Sequence, residues 1–141
     1  MSAEENLLTV ALIDDDEIFQ FTALKSIEAT RTTHSILQFL NGREALKYLI
    51  EKSSEKELLP DVIFLDINMP LIDGWMFIEE FRKIKTQLSK QITIYMASSS
   101  IDQSDISKAK EIAEIAEYVF KPITFEKFSS LLNGLANSSQ K

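Results

Sequence analysis

The chain has 141 residues, 45% of them hydrophobic, with 15 basic and 22 acidic side chains giving a net charge of −7. That length and apolar content suit one domain with a buried core and exclude global disorder. The acidic balance, with no basic stripe, excludes direct binding of a nucleic-acid backbone, and the absence of cysteine removes disulfide and thiolate chemistry.

The N-terminal "MSAEEN" carries acid where a secretory signal needs positive charge. The run "LLTVALI" (7–13) then reads as a strand buried on both faces, and it ends in Asp14, Asp15 and Asp16. A helical pattern over 17–29 places Ile18, Phe21, Leu24 and Ile27 at roughly helical spacing. His34 precedes the second apolar run, "SILQFL" (35–40). Asn41 can cap a helix carrying Ala45, Leu46, Leu49 and Ile50, and "EKSSEKELLP" (51–60) reads as an exposed helix end and loop.

The third run, "DVIFLD" (61–66), ends in a lone carboxylate, Asp66, before a turn through Asn68, Pro70 and Gly74. A helix over 75–88 follows, with Phe77, Phe81, Ile84 and Leu88 along one side. The fourth run, "ITIYMA" (92–97), leads into Ser98, Ser99 and Ser100, and then a helix over 102–115 with Ile106, Ala109 and Ala113. A short fifth strand, "EYVF" (117–120), leads to Lys121 and Pro122, after which Thr124 caps a helix with Phe125, Phe128, Leu132 and Leu135. The core is expected to run from about 7 to 135 within a single domain of residues 1–141, with 136–141 as a flexible tail. No apolar run approaches the ~18 residues of a membrane span, so a cytoplasmic protein without membrane contact is expected.

Five strands alternating with five helices imply an α/β fold, a (βα)5 doubly wound parallel sheet with right-handed crossovers. In such sheets ligands sit beyond the carboxyl ends of the strands, where the strand order reverses. With strand order 2-1-3-4-5, Asp14, Asp15 and Asp66 share one cleft, flanked by the serines and Lys121. Taken singly, each feature has a plainer reading: an acidic helix cap, a turn-holding aspartate, a polar loop, a solvated lysine. Their arrival in chain order on one rim favours a site. Three carboxylates so close need compensation, and a hard divalent cation supplies it: Mg²⁺, or Mn²⁺, takes carboxylate and phosphate oxygens.

These residues identify a resemblance. "FLDINMPLIDGW", together with "LIDDDE", the hydroxyl after strand four and "KP" after strand five, resembles the receiver domain of two-component response regulators over about residues 7–135. The resemblance implies a flavodoxin-like fold and a stand-alone domain that takes a phosphoryl group from a histidine kinase or phosphotransfer protein. It is then expected to signal to an unidentified downstream protein or act within a phosphorelay, rather than turn over substrate as an enzyme.

By position it makes Asp66 the phosphoacceptor and, with Asp14 and Asp15, a metal ligand, the main-chain carbonyl of Asn68 completing the protein's share. Lys121 matches the lysine that meets the phosphoryl oxygens, and Ser98 and Tyr118 match the switch pair. Asn68 and Ser100 occupy positions that tune dephosphorylation; both are small and polar, so decay within minutes is expected. Asp16 is expected to be a helix cap. A homodimer would use the fourth helix, fifth strand and fifth helix. The glycine usual before the fifth strand is missing, with Ile115 and Ala116 in its place. Two other classes fit parts of the pattern: a receiver-like interaction module that is not phosphorylated, and a haloacid-dehalogenase-type phosphatase using Asp14 and Asp16, for which 141 residues leave little room.

Overall fold

The computed structural model describes residues 7–138, so the "MSAEEN" segment and the last three residues of the expected tail lie outside it. Five strands, β1 (Leu8–Ile13), β2 (Thr33–Phe39), β3 (Val62–Asp66), β4 (Thr93–Ser98) and β5 (Ile115–Phe120), alternate with five helices. The helices are α1 (Glu17–Ala29), α2 (Gly42–Glu51), α3 (Gly74–Ile84), α4 (Gln103–Glu111) and α5 (Phe125–Ser138). All strand pairs are parallel and the order is β2-β1-β3-β4-β5, the doubly wound, flavodoxin-like arrangement expected.

Alternate residues of the central strands enter different cores, because successive side chains leave a strand on opposite faces. Ala11, Ile13, Ile63 and Leu65 pack beneath α2, α3 and α4 with Leu49, Phe77, Phe81 and Ala109. Val10, Leu12 and Phe64 pack beneath α1 and α5 with Ile27, Phe128 and Leu132. Phe64 is stacked by Tyr95 and meets Phe128 edge-on. β1 and β3 are buried throughout, which is why they read as unbroken apolar runs. β2 and β5 lie at the edges and are only partly covered.

Several local expectations are corrected. On α1, Ile18 and Phe21 are 77% and 61% exposed, while Gln20, Ala23 and Ile27 are buried. A three-residue repeat drifts around a helix of 3.6 residues per turn: nine residues separate Ile18 from Ile27, which sets them about 180° apart, whereas Gln20, Ala23 and Ile27 share one side. On α2, Ile50 is exposed although Ala45, Leu46 and Leu49 are buried.

α3 ends at Ile84 rather than 88, and a 3₁₀ turn over Lys85–Gln87 leads out of it. α4 ends at Glu111 because Ile112 is extended, with φ −98 and ψ 115. Ala113 is therefore off the helix, and Ile115 opens β5 rather than closing α4. Burying Ile115 beside Ile94 in the sheet outweighs another helical turn. His34 lies inside β2 and is exposed, and β2 begins at Thr33. α5 continues through residues 136–138, which had been assigned to the tail, and Ala136 is buried in the core.

Candidate functional site

The crossovers at β1 leave the carboxyl ends of β1, β3, β4 and β5 around one hollow. Asp14 follows β1 directly and is 1% exposed; Asp66 is the last residue of β3 and is 7% exposed. Asp15 projects from the turn and is exposed. One carboxylate oxygen from each of Asp14, Asp15 and Asp66 lies within 4.8 Å of the others, the group among the described residues able to hold a metal ion. The three acidic side chains expected to share one cleft therefore do so.

Among the described residues, one cation is paired with the two inner carboxylates. Lys121, which follows β5, donates from Nζ to Asp14 Oδ2 at 2.5 Å and reaches Asp66 Oδ1 at 3.4 Å. Its main-chain N–H donates to the Ser98 carbonyl at 2.9 Å, and its ammonium sits 4.4 Å from the centre of the Phe19 ring, so strand, helix and cation–π contact together fix it. The Lys121–Pro122 bond is cis.

Burial raises both inner carboxyls. Asp66 is pushed up to about 6, first by desolvation and then by the Asp14 charge, against the pull of Lys121. Asp14 is also raised by desolvation, opposed by its hydrogen bonds from Lys121 and the Asp16 N–H, the latter 2.9 Å from Oδ1. A cavity that holds excess negative charge against desolvation suits a hard cation. The donor set is entirely carboxylate oxygen with open solvent beside Asp15, which fits Mg²⁺ or Mn²⁺.

The turn after β3 is tightly built. Gly74 donates its N–H to the Ile67 carbonyl at 2.8 Å, and a Cβ there would stand 2.6 Å from the Asp66 carbonyl oxygen, so only glycine permits this approach. Asp73 caps α3 by accepting from Met76 N, and Leu71 adopts a positive φ of 69. Asn68 is exposed two residues beyond Asp66.

After β4, Ser98 is fully buried and its Oγ accepts from the Ser100 N–H at 3.0 Å. The Ser100 hydroxyl donates to Asp105 of α4 at 2.9 Å, and the Ser100 carbonyl accepts from the Tyr118 hydroxyl at 2.8 Å. Tyr118 meets Phe120 edge-on. Ser98, Ser100 and Tyr118 thus form one hydrogen-bonded chain from the hollow to the outer edge of the sheet. Asp16 caps α1, accepting from Ile18 N and Phe19 N, as its position before the helix implied.

Three contributors escaped the sequence reading. Gln20 is a buried amide; helical angles could have found it, because it shares a side with Ala23 and Ile27. Phe19 forms the wall against Lys121. Asp105 anchors Ser100; neither of these last two has a distinguishing pattern in the sequence.

Comparison with known proteins supports the same reading. Residues 10–133 match the family model for the response regulator receiver domain. A probable C4-dicarboxylate response regulator of Bacillus subtilis is 28% identical over 138 residues, covering 94% of this chain and 54% of that protein. A sensor histidine kinase of Helicobacter pylori is 29% identical over 123 residues, 87% of this chain and 14% of the kinase. The chain thus spans about half of the first relative and far less of the second. The crystal structure of a two-component response regulator from Cytophaga hutchinsonii superposes with a TM-score of 0.82 at 32% identity, covering 93% of this chain and 98% of that one. A response regulator receiver protein from Dyadobacter fermentans gives a TM-score of 0.76 at 28% identity, with 90% and 96% covered.

Proposed function

The chain belongs to the response regulator receiver family of two-component signalling, and from that premise we propose that Asp66 is the phosphoacceptor. The observation that carries this is the shared hollow: three carboxylates with one oxygen each within 4.8 Å of the others, and the Lys121 ammonium on Asp14 and Asp66. Receiver domains interact with histidine kinases or phosphotransfer proteins, and a phosphohistidine of such a partner is the donor.

An Asp66 carboxylate oxygen forms the new O–P bond as the P–N bond to the donor imidazole breaks, and that bonding pair returns to the imidazole nitrogen. Such transfer depends mainly on in-line placement and on neutralising oxygen charge, so a modest nucleophile suffices. Asp14, Asp15, Asp66 and the Asn68 carbonyl would hold Mg²⁺, whose contribution when bound is to offset the negative charge brought together there. Lys121 supplies a second, fixed positive charge. At pH 7 Asp66, at about 6, is largely ionised and ready to attack.

The first turns of α1, which follow Asp14–Asp16 directly, carry Ile18 at 77% exposure and Phe21 at 61%. These apolar groups, left over from packing α1, suit the docking of a donor protein beside Asp66. Ser98 would turn its hydroxyl toward a phosphoryl oxygen, and that movement of Oγ would loosen the bond it accepts from the Ser100 N–H and disturb the chain of bonds to Tyr118 and Asp105. The signal would thereby pass to α4 and β5, where a downstream protein or a second copy would read it. The product acyl phosphate is open to water past Asn68 and Ser100, so the signal decays without a separate enzyme.

Intact-mass measurement after treatment with acetyl phosphate and MgCl₂ tests the reading. One phosphoryl group per chain is expected for the wild type, and none for Asp66→Asn or in EDTA. Uptake by Asp66→Asn equal to the wild type, or by the wild type in EDTA, would refute it.

A further inference from the structure

Gln20 lies on the buried side of α1, 4% exposed, where its neighbours along the helix are Ala23 and Ile27. Its amide nitrogen donates to three main-chain carbonyls: Leu12 at 3.2 Å, Asp14 at 3.1 Å and Phe39 at 2.9 Å. Two N–H hydrogens serve three acceptors, so at least one is shared. Its side-chain oxygen accepts from Gln38 Nε2 at 3.0 Å, and the same Nε2 donates to the Gln20 carbonyl at 3.2 Å.

The place of this knot matters. The β1–β2 register ends at Ile13 opposite Phe39, and one more bond, from Asp14 N to the Phe39 carbonyl at 3.0 Å, closes the ladder. Past that point the sheet no longer fixes the chain. Gln20 takes over by holding the Asp14 carbonyl and, through Phe39, the partner that holds the Asp14 N–H. Both peptide groups flanking the Asp14 side chain are thereby tied to one side chain reaching down from α1. The turn that follows carries Asp15, exposed, and is steadied by the Asp16 N–H on Asp14 Oδ1 and by the cap that Asp16 forms on α1.

We infer that Gln20 is a positioning residue for the cation site, setting the aim of Asp14 and Asp15 without touching the ion. This rests on the reading of the hollow as a Mg²⁺ and phosphoryl site. Groups that orient metal ligands typically change metal affinity by tens-fold when lost, whereas a residue that merely fills the core changes stability alone.

The test is titration of the full chain with MgCl₂, followed by amide NMR shifts of the β1–α1 turn, alongside urea unfolding in EDTA. Gln20→Met keeps the volume and removes every donor. Ile27→Ala, on the same side of α1 but buried two turns away, is the stability control. Relative to the wild type, the Mg²⁺ dissociation constant is expected to rise about tenfold in Gln20→Met, about threefold in Gln38→Leu, and less than about twofold in Ile27→Ala. Affinity in Gln20→Met equal to the wild type overturns the inference, as does an equal loss in Ile27→Ala. If Gln20→Met fails to fold, Gln38→Leu decides, and wild-type affinity in that variant counts against the role. Shifts in the wild type that never respond to Mg²⁺ would instead bring down the reading of the hollow itself, and the role of Gln20 with it.

Discussion

The two ends of the sheet use the same side chains to opposite effect. At the carboxyl end, Asp14, Asp15 and Asp66 crowd together, the Lys121 ammonium reaches Asp14 and Asp66, and burial leaves Asp66 at about 6. At the amino end, Glu114 precedes β5 and takes two cations, Lys85 at 2.6 Å and Arg82 at 2.9 Å. Its carboxyl is pulled down to about 2, first by the hydrogen bond from Lys85 and then, against some desolvation, by Arg82. Nearby Asp61 accepts from Lys90 at 3.2 Å and from Thr9 N at 2.8 Å. Burial and the ratio of cations to carboxylates together decide the sign. One end is electrostatically satisfied and holds the fold; the other is left short of positive charge and is available for a ligand that brings it.

Removing the Lys121 ammonium from the crowded end should give the largest response. Lys121→Met leaves the buried Asp14 and Asp66 without their cation, at an expected cost of about 3 kcal/mol at pH 7 in EDTA. That cost should shrink as the pH falls and the carboxyls protonate; urea unfolding at pH 7 and pH 5 measures both. A cost independent of pH would mean that charge is not the cause.

Asp66→Asn should go the other way in stability while abolishing phosphorylation. The folded pKa of Asp66, about 6, lies above its ordinary 3.8. Between those values the folded chain keeps a proton that the unfolded chain has lost, so stability falls as the pH rises through about 6. The amide has no such loss. In EDTA at pH 7 the variant should be more stable than the wild type by on the order of 2 kcal/mol, and the gain should vanish near pH 4. A destabilised Asp66→Asn at pH 7 would contradict the strain assigned to the hollow.

Glu114→Gln is the smaller, opposite case. Its folded pKa of about 2 lies below the ordinary 4.5, so its contribution is present above pH 4.5 and lost as the pH falls through about 2. Lys85 and Arg82 are 44% and 46% exposed, so solvent screening holds the expected loss to about 1 kcal/mol at pH 7. The gap from the wild type should close by pH 2, and Mg²⁺ affinity should not move. Equal stability of the two proteins at pH 7 would remove the contrast between the ends.

Much of this contrast was readable from residue order. The unbroken apolar runs of β1, β3 and β4 announced a parallel sheet covered on both faces, and Asp14, Asp66 and Lys121 stood at the ends of strands where such sheets bind ligands. Edge strands and helix limits were harder. β5 was read two residues short because Ile115 and Ala116 look equally at home in a helix, and only pairing with β4 assigns them. The α1 stripe was misplaced because spacing by three selects apolar residues that lie on opposite sides of a turn. The amino-end cluster was not anticipated at all: Arg82, Lys85 and Glu114 are scattered, exposed-looking charges until the fold brings α3 beside the start of β5.

Local chemistry in the chain was enough to specify which groups could act: three acids, a hydroxyl, an amine, and a glycine where the backbone must pass close to Asp66. Those are properties of side-chain type and of the step from strand to turn, and they need no long-range information. How hard each group is pressed was settled by packing. Asp66 is raised and Glu114 lowered because burial and partner count depend on segments far apart in sequence. Gln20 reaches the Asp14 carbonyl only once α1 has folded back over the sheet.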